Sequence, residues 1–426
     1  LNGFHSGPRK ISILTLEEDR MFISRVLSGF GRWQSKGLVI CLLPLVWLWC
    51  YQLICRQSDK LNSSGSFQKA AAYGTDVQEV RISLTGDLMC HLSQIKNAMK
   101  EDSSYDFNAS FSYVKDILSR SDFSIGNLET TLAGKRLPYA GFPAFNSPDA
   151  YLIALKNAGF DFLVTANNHS MDTGEEGLLR TIEQLKKNNI GFCGTYESQN
   201  DRDSIRILEI RGIRLAILNY TYGTNGLYPE PGHEYMLNRI DSVLIRKDAA
   251  EARNKGADLI LVYYHYGSEY KAEPNDEQKK AIDYARRAGA MLIIGAHPHV
   301  VGPGVFFQEN GRKAERGFIA WSLGNFISNQ ADRFSDAGII TTIVLEKNLK
   351  SRKVHVKEVE YTPTWVYRGT HQEKKVHTIF PAALWKTPEK IPAWLDSSSV
   401  KKMKEAYADT REVFCRYQKD FKLMDY

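Results

Sequence analysis

The sequence predicts an α/β protein. Short apolar runs, each of strand length, end abruptly in clusters of polar residues. Helix-like stretches closed by glycine separate several of those runs. Apolar residues make up 43% of the 426 and charged residues 24%, enough apolar content for a packed core and too much for a disordered chain.

The runs follow one construction along the body of the chain. Arg81–Thr85 leads into Gly86-Asp87, with His91 four residues on. Phe123–Gly126 leads into Asn127-Leu-Glu129, and Phe160–Thr165 into Asn167-Asn168-His169 with Asp172 after. Asp258–Tyr264 leads into His265, then Glu269, and Met291–Gly295 into His297-Pro298-His299. The last three runs each follow a helix-like stretch that Gly159, Gly256 or Gly289 closes. Asn275 and Gln278 have the spacing of a capping box before one of those helices. Gly338–Leu345 and Val354–Tyr361 read as further strands, Lys401–Tyr417 as a closing helix, and Trp365, Trp385 and Trp394 as a tail packed across the sheet.

The N-terminal region has a different character. Leu38–Cys55 is uncharged and at 1.5 Å per residue would span about 27 Å as a helix, close to the hydrocarbon thickness of a bilayer. The run lacks the small-residue cleavage site of a secretory signal, so residues 37–55 are expected to be an uncleaved transmembrane helix. Six bases against three acids in residues 1–36 favour a cytoplasmic N-terminal segment and an extracytoplasmic C-terminal domain, single-pass in the cell membrane. Residues 1–20, ahead of Met21 and its basic leader, carry no assignment. The polar, Ser/Gly/Ala-rich residues 56–78 read as a linker.

Charge is unevenly distributed within the total of +6. Residues 347–426 hold seventeen bases and ten acids, whereas residues 61–346 carry a net −5. A nucleic-acid binder would concentrate bases on its main body, so no nucleic-acid partner is expected. Cys90, Cys193 and Cys415 are the body's cysteines, with no C-x-x-C, which indicates neither a disulfide framework nor a thiolate zinc site.

In open α/β sheets, ligands bind beyond the carboxyl ends of the strands, where all five polar clusters fall. Acids, amides and imidazoles gathered at one sheet edge need a counter-charge, and bound divalent metal supplies it. Oxygen and imidazole donors without thiolate suit Mn, Fe, Zn or Co. Each piece alone has a blander reading: Gly-Asp is commonly a turn, and a lone His after a strand is commonly structural. His297 and His299 flanking a proline form a stiffer pair. His5, His233, His355, His371 and His377 read as surface, loop or packing residues.

The ordered motifs G-D-L-M-C-H, G-N-L-E, N-N-H-S-M-D, H-Y-G-S-E-Y, G-A-H-P-H-V and S-L-G-N-F (Ser322–Phe326) resemble those of the poly-γ-glutamate capsule biosynthesis (CapA) family. Phe145–Pro148 and Tyr220–Gly226 resemble its intervening loops. The resemblance covers about residues 80–346 and is similar in turn to calcineurin-like metallophosphoesterases. It implies a four-layer α/β/β/α sandwich over residues 79–346, with 347–426 as a basic extension packing on it. It also implies two divalent metals. Asp87 would bind the first, Glu129 would bridge, and Asn168 and His265 would bind the second with His297, while His299 returns to the first. His169 would be the general acid. His91, Asn127 and Asn325 are further ligand or supporting candidates. Two features depart from phosphoesterases: the Asp87–His91 spacing is longer than Asp-x-His, and Glu129 stands where they use a bridging Asp.

The implied role is synthesis or export of poly-γ-glutamate at the outer face of a bacterial membrane, with membrane-bound polymer synthase or export proteins as partners. Residues 347–426 are a candidate surface for the anionic polymer. The alternative is an active metal-dependent phosphoesterase or other hydrolase of a cell-envelope substrate.

Overall fold

A computed structural model describes residues 77–308 and 316–424. The expected cytoplasmic segment, the transmembrane anchor and nearly all of the linker lie outside the described residues. No helix among the described residues is long and apolar enough to cross a membrane.

The described chain is a mixed α/β fold built on two sheets. The first is centred on β1 (Val77–Leu88), with β2 (Phe123–Leu128), β3 (Phe162–Val164) and β4 (Gly191–Cys193) following in parallel on one side. The second takes β5 (Ile207–Ile210), β6 (Ile213–Thr221), β7 (Leu259–His265), β8 (Leu292–Ala296), β9 (Gly304–Gln308) and β10 (Arg316–Ala320), in the order β5-β6-β7-β8-β10-β9. The chain then returns to the first sheet. There β11 (Asn325–Ile327) pairs with the end of β1, and β12 (Ala337–Asn348), β13 (Val354–His371) and β14 (Lys374–Pro381) extend the other side antiparallel. The two-residue β15 (Lys422–Leu423) joins β13. Residues 347–381 therefore continue the first sheet, and the boundary expected after residue 346 falls inside β12.

Alternation along the strands decides what packs where. Ile213, Leu215, Ile217, Leu259, Leu261 and Tyr263 of the second sheet face Val80, Ile82, Leu84 and Ile125 of the first in one apolar core between the sheets. The intervening residues Ala216, Leu218, Ile260 and Val262 turn outward against α4 (Ser242–Asn254) and α5 (Asp276–Arg287). On the far face of the first sheet, Leu88, Leu128 and Leu163 meet α1 (Leu92–Ala98), α2 (Asp149–Ala158) and α3 (Gly174–Lys187). Helices thus cover the outer face of each sheet, and strands buried on both faces read as continuous apolar runs. α6 (Ser397–Phe414) brings Met403, Ala406 and Tyr407 onto Trp365 and Phe380 of β13 and β14.

The capping box at Asn275 and Gln278 is present, and Gly159, Gly256 and Gly289 follow their helices with φ of 108°, 78° and 82°. Those turns drop the chain straight into β3, β7 and β8, which end at the polar clusters.

The pairing of β1 with β2 slips in register between Leu84 and Asp87. Before the slip, even-numbered residues face the core between the sheets; after it, Leu88 lies on the helix side. A bulge of this kind re-aims side chains. Asp87 sits at that point, its N–H donating to Gly324 O at 2.9 Å.

Gly86 makes this close approach possible, since a Cβ there would lie 1.8 Å from Gly324 O. Gly86→Ala should lower unfolding stability by about 1–3 kcal/mol in urea titration. Gly223→Ala, where a Cβ meets nothing within 4 Å, should be nearly neutral.

Candidate metal centre

Six side chains converge where the two sheets' carboxyl ends meet. Asp87 comes from the end of β1, Glu129 from just after β2, and Asn168 from the turn after β3. His265 is the last residue of β7, and His297 and His299 follow β8. Oxygen donors therefore come from the first sheet and nitrogen donors from the second. All six are buried.

The contacts knit them together. His299 Nδ1 lies 3.0 Å from Asp87 Oδ2, and His297 N–H points at the same oxygen from 3.4 Å. His265 Nε2 donates to Asn168 Oδ1 at 2.8 Å. Glu129 Oε1 lies 3.8 Å from His265 Nε2 and 3.9 Å from His299 Nε2, between the two imidazoles. Asn127 Nδ2 is the hub: it stands 2.9 Å from Asp87 Oδ1, 3.2 Å from Glu129 Oε2 and 3.3 Å from His265 Nδ1.

The electrostatics follow from burial and crowding. Desolvation would raise the Asp87 carboxyl, but the hydrogen bond and charge of His299 and the Asn127 amide hold it below its ordinary value. Burial, then the adjacent Asp87 carboxylate, push Glu129 well above its ordinary value. Burial and the neighbouring imidazoles His297 and His299 push His265 well down, and burial with His299 brings His297 to about 3. His265 and His297 are thereby kept neutral, the state in which imidazole ligates metal.

The donor set fits divalent cations on a further observation. Glu129 Oε1 and His297 Nδ1 are buried and have no hydrogen-bond partner among the described residues. Such atoms cost free energy unless something satisfies them. Single atoms of Glu129, His297 and His299, and likewise of Asp87, Glu129 and His265, lie within 4.8 Å of one another. His297 and His299 also hold φ of 96° and 58°, conformations that bulky residues adopt at a cost of about 1–3 kcal/mol each.

His169 stands beside this group with its Nδ1 2.7 Å from Asp172 Oδ2, which fixes the ring and leaves Nε2 to exchange a proton. Phe145 packs edge-on against His169, with ring centroids 4.6 Å apart.

The supporting candidates divide. Asn127 is central. Asn325 is the register partner of Asp87, but its amide donates to Gln330 Oε1 and Ser335 O at 2.9 and 2.8 Å. His91 is not brought into the cluster. It precedes α1, its Nδ1 accepts the Asn329 N–H at 3.3 Å, and its ring lies edge-on to Phe145. Burial lowers it to about 4, as suits a neutral acceptor.

Sequence reading gave no role to three contributors. Asn167 donates to Leu128 O at 2.7 Å and Asn127 Oδ1 at 3.2 Å, tying β3 to β2. Asp172 orients His169, and its i+3 spacing was the available signal. Tyr222 stacks on His265 and lies 4.7 Å from the His297 ring, a contact across two loops that no spacing reveals.

A family model described as bacterial capsule synthesis protein PGA_cap matches residues 81–330. The capsule biosynthesis protein CapA of Bacillus anthracis is 28% identical over 276 residues, covering 62% of this chain and 63% of that protein. The PGA biosynthesis protein CapA of Bacillus subtilis (strain 168) is 28% identical over 305 residues, covering 71% and 75%. The chain thus spans less than two thirds of the first relative's length. Among solved structures, the calcineurin-like phosphoesterase YfkN from Bacillus subtilis aligns with a TM-score of 0.38 and 12% identity, over 78% of this chain and 98% of that one.

Mn²⁺ at a hundredfold excess over its Kd should stabilise the protein by about 2.7 kcal/mol, read as a rise in thermal midpoint. His297→Ala and Glu129→Gln should lose most of that rise. His377→Ala, also buried but bonded to Asn97 and Asn329 instead, should keep it.

Proposed function

This chain belongs to the family of bacterial capsule synthesis proteins, and from that premise we propose that it serves the synthesis or export of poly-γ-glutamate through a divalent-metal centre. The carrying observation is the pair of buried, unpartnered atoms, Glu129 Oε1 and His297 Nδ1, inside a ring of two carboxylates, an amide and three imidazoles. Asp87, Glu129, Asn168, His265, His297 and His299 would hold the cations, two in number. Mn, Fe, Zn and Co all suit these donors.

Bound there, divalent cations would polarise a carbonyl or phosphoryl oxygen and lower the pKa of a water. The chain's own residues supply the rest. Asn127 keeps Asp87 and Glu129 at a fixed separation through one amide. Asn167 locks Asn127 in turn, its Nδ2 donating to Asn127 Oδ1. Tyr222 covers His265 and His297 on one side and is itself exposed, so it is the part of this wall that an incoming chain would meet. In this reading residues 37–55 tether the domain to the outer face of the membrane, where polymer emerges and where membrane-bound synthase or export proteins would meet it.

A second reading, hydrolysis of a phosphoester or amide in the cell envelope, is favoured by His169. Asp172 fixes its ring, so Nε2 can protonate a leaving oxygen or nitrogen.

Two measurements separate the readings. Full-length protein loaded with Mn²⁺ should turn over a generic phosphodiester or poly-γ-glutamate if it is a hydrolase, and His169→Ala should lose about 10²–10⁴-fold in kcat while retaining its metal. Equal turnover in both proteins rejects hydrolysis. In cells, deletion should remove surface polymer, wild type should restore it and His297→Ala should not. Unaltered polymer after deletion rejects the capsule role.

A further inference from the structure

A polar cavity is lined in part by Asn329, whose backbone N–H donates to His91. Its volume is 460 Å³, and Asn329, Trp365, Arg368, Ser398, Ser399 and Lys402 line it together with Asp396. Three segments build it: β13, which contributes Trp365 and Arg368, the start of α6, which contributes the serines and Lys402, and the loop that carries Asn329.

Arg368 is the unusual member. Its side chain is 14% exposed, and Nη2 is 4.0 Å from Asp336 Oδ2, too far for a hydrogen bond. Its Nη1 is buried with no hydrogen-bond partner among the described residues. A guanidinium has five N–H donors in a planar fork, and burying it half-satisfied costs free energy that an anion would recover. The nearby acids have other hydrogen-bond partners but keep their charge, and Asp336 offsets part of that of Arg368. Asp336 accepts the Trp365 indole N–H at 3.0 Å, and Asp396 accepts Ser399 N–H at 2.7 Å and the Ser398 hydroxyl at 3.1 Å. Lys402, exposed one helical turn into α6, adds a second cation on the same cavity.

The cavity is joined to the metal centre by short contacts. Arg368 is the register partner of His377 on β14, and His377 Nε2 lies 2.9 Å from Asn329 Oδ1. The backbone N–H of Asn329 donates to His91, whose ring meets Phe145, which in turn packs on His169. The next residue, Gln330, donates to the Tyr270 hydroxyl at 3.2 Å, and Tyr270 flanks His299 with centroids 6.1 Å apart. One segment, residues 328–330, therefore borders both places.

We propose that Arg368 and Lys402 form a second anion subsite, which holds one carboxylate of a polyanionic chain while another part of the same chain lies at the metal centre. The inference rests on the capsule-polymer reading and adds to it: a substrate that fills both places carries repeated carboxylates along a flexible backbone, whereas a simple phosphomonoester fills only the first. The fork of Arg368 matches a carboxylate in geometry as well as charge. The Ser399 hydroxyl and the Asn329 amide N–H offer further polar contacts around it.

The test is a binding titration of a fluorescent γ-glutamate oligomer to the full chain, with Mn²⁺ and after chelation, at fixed salt. Lys402→Glu, at an exposed position where folding is not at risk, and Arg368→Gln should each weaken the oligomer about tenfold or more. Both should leave metal content and the affinity for inorganic phosphate at wild-type values. Lys419→Glu, an equal charge change on a different surface cavity, should have little effect. Unchanged oligomer affinity in Lys402→Glu, or an equal loss in Lys419→Glu, overturns the subsite. The metal arm reports separately: if chelation leaves oligomer binding intact while Lys402→Glu weakens it, the subsite stands and the metal-centred reading fails. If chelation abolishes binding while both charge variants match wild type, the metal-centred reading stands and the subsite falls. No oligomer binding under any condition refutes both.

Discussion

Asp87 and Glu129 are fully buried and lie within reach of the same Asn127 amide nitrogen, so both cannot carry an uncompensated negative charge. The rest of the centre answers to that constraint. His299 takes one oxygen of Asp87, burial drives Glu129 toward its protonated form, and burial suppresses the charges of His265 and His297. A cluster with that much unused ligating capacity is poised for positive charge to arrive from outside. The backbone is shaped to the same end, in the register slip beside Asp87 and the left-handed conformations of His297 and His299.

The sheets make the constraint affordable. Parallel strands buried on both faces leave no room for polar groups along their length, so polar residues collect where the strands stop. The two sheets share one apolar core, which sets their carboxyl ends side by side and closes the crevice from below. Helices cover the outer faces and bury the remaining apolar side chains of the strands. β12, β13 and β14 then widen the first sheet and carry the Arg368 cavity to the flank of the same crevice.

Much of this was legible in the residues, for identifiable reasons. The continuous apolar run of β7, with glycine closing the preceding helix at Gly256, is written locally and survives as strand geometry. So is the abrupt change from apolar run to polar cluster that marked Asp87, Glu129, Asn168, His265, His297 and His299. What was not legible depends on contacts between distant segments. Asn127 read only as a supporting candidate, and its place as the hub emerges when Asp87 and His265 close on it from other strands. His91 sits four residues after Asp87, close enough to suggest a shared role, yet the start of α1 turns its ring toward Phe145. Arg368 lies in the basic stretch expected to face the polymer, but nothing local to it marks the burial that the crossing of β13 with α6 brings.

The division of donors between the sheets has an evolutionary consequence. Carboxylate and amide oxygens are encoded before residue 170, and imidazole nitrogens after residue 264, with no overlap between the two sets. A crossover between diverged genes within the stretch from β4 to β6 would inherit each complement whole, but from different parents. Such a chimera could keep its hydrophobic packing and still mismatch the spacing of its two halves, so lineages would exchange whole domains more readily than fragments.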